Sequence, residues 1–409
     1  MRSPTRRSTN RRAPPDDQKN AARVLGRRTV RPSLLTVNQA AGIEYLPLGV
    51  VGVIGPWTYP IFTPLGSLSF ALAAGNTVVY KPSEYTPGVG VWLAQALSEV
   101  VPEHPVLQVV TGDGSTGAAL CRSGVDKIGF TGSTATGKQV MIACAATLTP
   151  VLMECGGKDA LIVDADGDLD AAADAAVWGG FSNAGQTCLG VERVYVHEEV
   201  FDLFVDRVVT LAGTIRAGTG GDAQIGPITM PTQIDVIRRH IDDAIGRGGR
   251  AVLGGPDAIE GNVVQPTILV DVPEDSAAVT EETFGPTLTV ARVRDMDEAV
   301  ERANATRYGL GLSIFSRRHG DEIATRIRTG AVSVNSYVMY AAVPSLPLGG
   351  VGDSGFGRVH GADGLRDFTF PCAKTRQRFP SILPLTTFRR TPRIDALVRV
   401  LVRLLHGRH

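Results

Sequence analysis

Short apolar runs alternate with helix-length amphipathic segments along most of this chain. Between positions 50 and 155 the apolar runs fall at residues 50–54, 77–80, 107–110, 127–130 and 151–153, with helical segments at 65–74, 89–101, 116–122 and 134–146. A strand without polar alternation is buried on both faces, and helix-length connections join parallel neighbours. The rhythm therefore predicts a mostly parallel sheet covered by helices. The carboxyl ends of such strands are where a nucleotide binds. No charge occurs between Glu44 and Lys81, a stretch long enough to suggest a membrane span, but Pro47, Pro56, Pro60 and Pro64 break it. It reads as a buried strand, a turn and a buried helix.

The second half repeats the rhythm. Apolar runs at residues 160–163, 193–196, 314–315 and 331–334 alternate with helical segments near 168–181, 200–212, 231–247 and 296–303, so a second α/β domain is expected. Near the end, Ile394, Leu397, Val398, Leu401, Val402 and Leu405 share one stripe of a helix, with Arg399 and Arg403 opposite. This helix is too short to cross a bilayer. Packing on its own protein or on a dimer partner is expected, with contact to an anionic membrane surface as the alternative.

The 41 basic and 41 acidic residues cancel, yet they are unevenly placed. Residues 1–31 hold ten Lys or Arg against Asp16 and Asp17, and residues 374–409 hold nine against Asp395, so each end carries +8 and the middle −16. No aromatic or recognition motif accompanies the basic ends, so solvated tails are expected and no nucleic-acid partner. Cys121, Cys144, Cys155, Cys188 and Cys372 are odd in number and form no C-x-x-C pair. That pattern points to reduced thiols, a cytoplasmic setting and no metal site. Residues 1–20 lack the apolar run of an export signal and read as a disordered basic leader.

Two glycine-rich turns join a strand to a helix. Gly112-Asp113-Gly114-Ser115-Thr116-Gly117 fits a dinucleotide turn, but it comes late in the sheet and lacks an acidic residue about twenty positions on. A tight structural turn is an equal reading. The other turn, residues 130–138, presents Gly132, Ser133 and Gly137 where a helix N-terminus can face phosphate, and Gln139 excludes a Walker loop. Cys188 follows Asn183-Ala184-Gly185-Gln186-Thr187, a loop of small residues that leaves a thiol accessible, whereas most cysteines are inert core. Glu154 follows an apolar strand and precedes Gly156 and Gly157, which let another segment or a ligand approach. A thiolate and a poised carboxylate are what covalent acyl transfer requires.

Ordered motifs make the reading specific. Ile54-Gly55-Pro56-Trp57-Thr58-Tyr59-Pro60 resembles the I-x-P-W-N-x-P segment of the aldehyde dehydrogenase superfamily. Lys81-Pro82-Ser83-Glu84 resembles its K-P-S-E, and residues 130–137 its F-T-G-S-x-x-x-G. Glu154-Cys155-Gly156-Gly157-Lys158 and Gly185-Gln186-Thr187-Cys188 are similar to E-L-G-G-K and G-Q-x-C, and Glu281-Glu282-Thr283-Phe284-Gly285-Pro286 to E-E-x-F-G-P. Pro347-Leu348-Gly349-Gly350 with Ser354-Gly355 resembles the closing P-F-G-G-x-x-x-S-G. Gly352 and His360-Gly361 look like the class 3, fatty-aldehyde branch.

The resemblance implies an aldehyde dehydrogenase-like α/β fold. A Rossmann-type cofactor domain would span residues 21–154, with about 345–365 returning near it, and a second α/β catalytic domain 155–345. A small oligomerisation arm would use a strand over 366–378, ahead of a basic amphipathic tail over 379–409, and a homodimer is implied. NAD is the implied cofactor, with NADP as alternative. Lys81 and Glu84 would hold the adenosine ribose, with Trp57 and Ser83 beside the cofactor, Gly132, Ser133 and Gly137 along its pyrophosphate and adenine, and Glu282 and Phe284 at the nicotinamide ribose. Cys188 would attack an aldehyde, hydride would pass to the cofactor, and water activated by Glu154 would release a carboxylic acid.

Two departures stand out. Thr58 replaces the family's Asn, whose side chain with the backbone N–H of the nucleophile holds the oxyanion. A shorter donor implies a slow enzyme, since losing one such donor costs about 10²–10³ in rate. Fewer residues precede Pro56-Trp57 than in the family, so the chain reads as shortened there, with apolar surface exposed or met by a partner. Cys155 for the usual Leu is a milder change. A degenerate member that binds cofactor or dimerises without turnover is thus a second expectation, against which intact Cys188, Glu154, Lys81 and Glu282 weigh. Thioester transfer to coenzyme A is disfavoured because Glu154 supplies a hydrolytic base.

Overall fold

The computed structural model describes residues 21–33, 36–381, 387–389 and 391–407, without the side chains of residues 405 and 406. The basic leader expected over residues 1–20 lies outside them. The first sheet has Val50–Ile54 at its middle. From there the chain builds outward through Thr77–Lys81 to Leu107–Val109, then crosses back to add Lys127–Gly132 and Val151–Cys155 on the other side, all parallel. Gly355–Phe356 closes that edge antiparallel. The building direction reverses between Val50–Ile54 and Lys127–Gly132, so the loops leaving these two strands open a crevice at their carboxyl ends.

Both faces of this sheet are buried, which is why its strands read as unbroken apolar runs. Val51, Val53, Val78 and Tyr80 pack with Leu68, Phe70 and Ala71 of helix Phe62–Ala73, and with Leu365 and Phe368. Ile54, Ile128, Phe130, Met153 and Cys155 pack on the opposite face with Leu120 and Cys121 of helix Gly114–Cys121 and Val140, Ala143 and Cys144 of helix Thr134–Ala145.

The second sheet has seven strands, in the order Arg250–Leu253, Thr267–Val270, Thr287–Val293, Val191–His197, Asp159–Val163, Leu312–Phe315 and Ser333–Val334. Three of them, Arg250–Leu253, Thr267–Val270 and Thr287–Val293, are absent from the reading of the sequence. Thr287 and Thr289 make the last look half-solvated, yet both are buried, and the Thr289 hydroxyl donates to the Glu192 carbonyl at 3.1 Å. A bonded hydroxyl enters a core at little cost.

A third sheet joins Arg28–Val30, Gln39–Pro47 and Thr369–Gln377. The last two pair antiparallel over nine residues, from Thr369 opposite Pro47 to Gln377 opposite Gln39. Among the described residues no helix is long and apolar enough to cross a membrane.

Asn76 fastens these parts. Its carbonyl oxygen accepts from the Gly49 amide, and its NH₂ donates to the carbonyls of Ala71 and Phe368, each at 2.9 Å. The side chain is buried, so Asn76→Ala removes three hydrogen bonds and leaves a gap, although the Ala71 carbonyl still accepts from the residue 76 backbone amide. It is expected to lower stability by on the order of 2–4 kcal/mol in urea unfolding. An unchanged midpoint would show that the three bonds contribute nothing net.

Candidate active site

A cavity of about 670 Å³ occupies the crevice, lined from both sheets. Cys188 reaches it on a strained loop. After helix Leu169–Phe181, residues Asn183, Ala184 and Gly185 take φ of 53°, 57° and 70°. Only glycine fits the third position, because a Cβ there would lie 2.1 Å from the Gly285 carbonyl oxygen. Asn183 Nδ2 donates to the Gln186 carbonyl and Gln186 Nε2 donates back to the Asn183 carbonyl, both at 2.9 Å. Gln186 Oε1 accepts from the Thr229 amide at 2.8 Å. The small and amide residues ahead of Cys188 are thus the parts of a locked turn.

Glu154 lies inside the strand Val151–Cys155 rather than after it, in register with Thr131 on one side and Gly355 on the other. Met153 and Cys155 pack in the core beneath helix Thr134–Ala145, so by strand alternation Glu154 faces the other way. There the Cys188 thiol donates to Glu154 Oε1 at 3.2 Å. Burial raises the Glu154 carboxyl, against hydrogen bonds from Cys188 and Thr131. Burial, and next the neighbouring Glu154 charge, push the Cys188 thiol well above its ordinary value. At rest the pair is a thiol bonded to a carboxylate, not a thiolate.

A second carboxylate sits at Gly156-Gly157. Glu282 Oε1 accepts from the Gly157 amide at 2.9 Å, and a Cβ on Gly156 would lie 2.1 Å from that oxygen. Burial, then the charge of Glu192, lift Glu282 to about 8. Glu192 organises the adjoining loop: its carboxylate accepts the amides of Thr283 at 2.8 Å and Phe284 at 3.0 Å and pairs with Lys158 Nζ. Lys158 Nζ also donates to Thr283 Oγ1 at 3.0 Å. This holds Phe284 at φ 51°, its ring edge-on to Trp57 with centroids 5.7 Å apart.

At the far end, Lys81 Nζ donates to Glu84 Oε2 at 3.0 Å. Burial would raise Glu84, but a backbone amide and Lys81 outweigh it and the carboxyl lies below its ordinary value. Ser133 caps helix Thr134–Ala145, accepting from the Thr136 amide. At the earlier glycine turn Asp113 accepts from the Ser115 amide at 2.9 Å, so a carboxylate already fills that helix N-terminus and opposes phosphate there. The small residues Gly114, Gly117 and Ala118 of that helix line the cavity instead.

Cys188, Glu154, Thr58, Trp57, Lys81, Ser83, Glu84, Gly132, Ser133, Glu282 and Phe284 all line the cavity. Gly137 is not among the lining residues. A Cβ on it would lie 2.9 Å from Cys155 Sγ, so it serves close packing of helix on strand. Arg122, Arg239, Arg307 and Tyr308 line the cavity without having been anticipated, and Glu192 was missed although two adjacent charges in the strand Val191–His197 were a legible signal.

The donors suit a dinucleotide. Ile54, Val140 and Ala143 give an apolar wall, the Lys81–Glu84 pair can bind ribose hydroxyls, a capped helix end faces the cavity, and Glu282 adds a second ribose acceptor. Comparison with known proteins agrees. The model of the Aldehyde dehydrogenase family matches residues 19–371. The chain is 39% identical over 368 residues to a 4,4'-diapolycopene aldehyde oxidase of Methylomonas sp, covering 89% of this chain and 69% of that one. It is 42% identical over 339 residues to a mitochondrial aldehyde dehydrogenase of Leishmania tarentolae, covering 81% and 68%. The structure of an aldehyde dehydrogenase from Bacillus cereus in complex with NAD+ superposes with a TM-score of 0.83 at 31% identity, covering 88% of this chain and 74% of that one.

The buried carboxylates set a pH dependence. Glu282 holds its proton in the folded chain up to about pH 8 but ionises near 4.5 when unfolded. Between those values the folded state carries the extra proton, so stability falls as pH rises through the window. Glu282→Gln keeps the acceptor for the Gly157 amide and should flatten that part of a stability-against-pH profile. Identical profiles for both proteins would contradict the assignment.

Proposed function

The chain belongs to the aldehyde dehydrogenase family, and from that premise we propose that Cys188 and Glu154 carry its oxidation of an aldehyde to a carboxylic acid. NAD or NADP is the hydride acceptor. The observation that carries the proposal is the Cys188 thiol donating to Glu154 Oε1 at 3.2 Å inside the cavity.

Glu154 first takes the thiol proton it is already bonded to. The sulfur forms a bond to the carbonyl carbon, and the carbonyl oxygen becomes an oxyanion. Thr58 is buried at the same cavity, and the Tyr59 hydroxyl and Thr187 Oγ1 lie 3.0 Å apart, which draws the Thr58 loop onto the nucleophile loop. The Thr58 hydroxyl and the Cys188 backbone N–H then stabilise the oxyanion. A bound NAD or NADP would supply the hydride acceptor at that carbon, which would leave a thioester on Cys188. With its proton passed to solvent, Glu154 accepts one from water, hydroxide adds to the thioester, and the Cys188 sulfur leaves with the acid released.

Lys81 and Glu84 hold the adenosine ribose in this reading, Ser83, Gly132 and Ser133 line the path of the pyrophosphate, and Glu282, with Trp57 and Phe284 beside it, holds the nicotinamide ribose. Tyr59, Ile61, Phe62 and Leu65 follow Thr58 and are exposed. These exposed apolar side chains, close in sequence to Thr58, favour an aldehyde with an apolar tail, in keeping with the relative named as a 4,4'-diapolycopene aldehyde oxidase. The Thr58 hydroxyl, a shorter donor than an amide, is the one observation that favours a second reading, a member that binds cofactor without turnover.

NADH formation with an aliphatic and aromatic aldehyde panel separates the two. The parent protein should turn over, with medium and long aliphatic aldehydes ahead of charged ones. Cys188→Ala should give none, and Glu154→Gln should slow both the first turnover and the steady rate, because one carboxylate serves both the thiol attack and the hydrolysis. Folded, cofactor-binding protein inactive on every aldehyde would overturn the catalytic proposal.

Thr58 is tested separately. Thr58→Asn should raise kcat by about tenfold or more. A kcat that is unchanged or lower would show that Thr58 is not a deficient donor.

A further inference from the structure

The last described element is helix Pro392–His406, fifteen residues and roughly 22 Å long. It starts on its own signals: Thr391 Oγ1 accepts from the Ile394 amide, and Pro392 occupies the first turn. The expectation that this helix packs on its own protein is not met over much of its apolar surface. Leu397, Val400, Val402 and Leu404 are 49%, 52%, 48% and 76% exposed, and Ile394, Val398 and Leu401 are only half-buried. Just ahead of the helix, Phe388 is fully exposed.

The chemistry of the surface indicates what covers it. At 100° per residue, the apolar positions sweep from Val400 through Leu404, Leu397, Leu401, Ile394 and Val398 to Val402, about 200° of the circumference. Arg399 and Arg403 lie in the remaining arc, whereas Arg393, in the first turn, falls at the edge of the apolar arc between Val400 and Leu404. A partner helix covers a stripe near 100° wide and would leave Val400 and Val402 in water. Immersion to the depth of the polar headgroups covers the whole arc at once. Residues 374–409 carry nine Lys or Arg against one acidic residue, so two copies of this tail repel, while an anionic lipid surface attracts each. We propose that helix Pro392–His406, with Phe388 at its entrance, lies in the plane of an anionic bilayer surface and docks the protein there.

Co-sedimentation with lipid vesicles tests this, using the full chain. In about 0.1 M salt it should pellet with phosphatidylcholine vesicles containing about one-third phosphatidylglycerol, and stay in solution with phosphatidylcholine alone. Raising salt to about 1 M should weaken pelleting by about tenfold or more, because the screening length falls to about 3 Å. Leu397→Glu with Leu404→Glu, both at exposed positions, should abolish pelleting with thermal unfolding unchanged. Arg399→Gln with Arg403→Gln keeps the apolar arc and should reduce binding about tenfold or more. Failure to pellet with anionic vesicles, or equal pelleting with both lipids, would overturn the proposal. So would leucine variants that still pellet like the parent. Light scattering supplies the last arm: an oligomer that dissociates in the leucine variants, with no lipid binding by the parent, would assign this face to a second copy.

Discussion

The two sheets are joined by three residues, Gly156, Gly157 and Lys158, and the site depends on how tightly that link is packed. The strand ending at Cys155 belongs to the first sheet and the strand starting at Asp159 to the second. Side chains are excluded from the link on two sides: a Cβ on Gly156 would meet Glu282 Oε1 at 2.1 Å, and one on Gly157 would meet the Cys188 carbonyl oxygen at 2.9 Å. The nucleophile loop and the Glu282 loop therefore both rest on bare backbone. Glu154, two residues before the link, is brought to the thiol by the same crossing. A side chain at Gly156 would displace Glu282, and one at Gly157 would press on the Cys188 loop.

Packing charged groups this closely has an electrostatic consequence. Glu154, Asp159, Glu192 and Glu282 are gathered near the link, and burial raises Glu154, Asp159 and Glu282. Lys158 and Arg193 are the buried cations among them. Glu192 takes Lys158 and two backbone amides, and Arg193 donates to the carbonyls of Lys158, Arg302 and Ala303. Glu154 and Glu282 are left with fewer partners, and burial raises both carboxyls, Glu282 to about 8. A raised carboxyl beside a thiol is what the proposed general-base role of Glu154 calls for. The cation and amides that pair with Glu192, and the thiol and hydroxyl left to Glu154, are two sides of one distribution of donors.

What was legible in the sequence follows from where solvent and partners sit. The first sheet is buried on both faces, so its strands announce themselves as apolar runs. Strands Thr267–Val270 and Thr287–Val293 are also largely buried, but Thr289 satisfies its hydroxyl at the Glu192 carbonyl, 97 positions away, which no local pattern reveals. The site residues were legible as motifs because each must meet a ligand or a backbone at fixed spacing. Glu192 and Gly137 show the limit: one acts on a loop more than ninety positions away, and the other looks like a phosphate-facing glycine while serving the contact with Cys155.

Backbone strain gathers where the chemistry is. Of the non-glycine residues with left-handed φ, Tyr59, Asn183, Ala184 and Phe284 all lie in the loops that deliver Thr58, Cys188 and Glu282 to the cavity. Such conformations cost of order 1–3 kcal/mol each and persist only where the surroundings over-determine them. Here they do: the Tyr59 hydroxyl meets Thr187, the Asn183 and Gln186 amides close on each other, and Glu192 pins the Phe284 amide. Tyr59 and Phe284 are each held by a bond from another segment and Asn183 by Gln186 within its own loop, so the Tyr59 and Phe284 loops cannot relax independently of their partners. In the proposed reaction Cys188, Thr58 and Glu282 are then placed before any substrate arrives, which leaves little reorganisation when charge develops on the substrate.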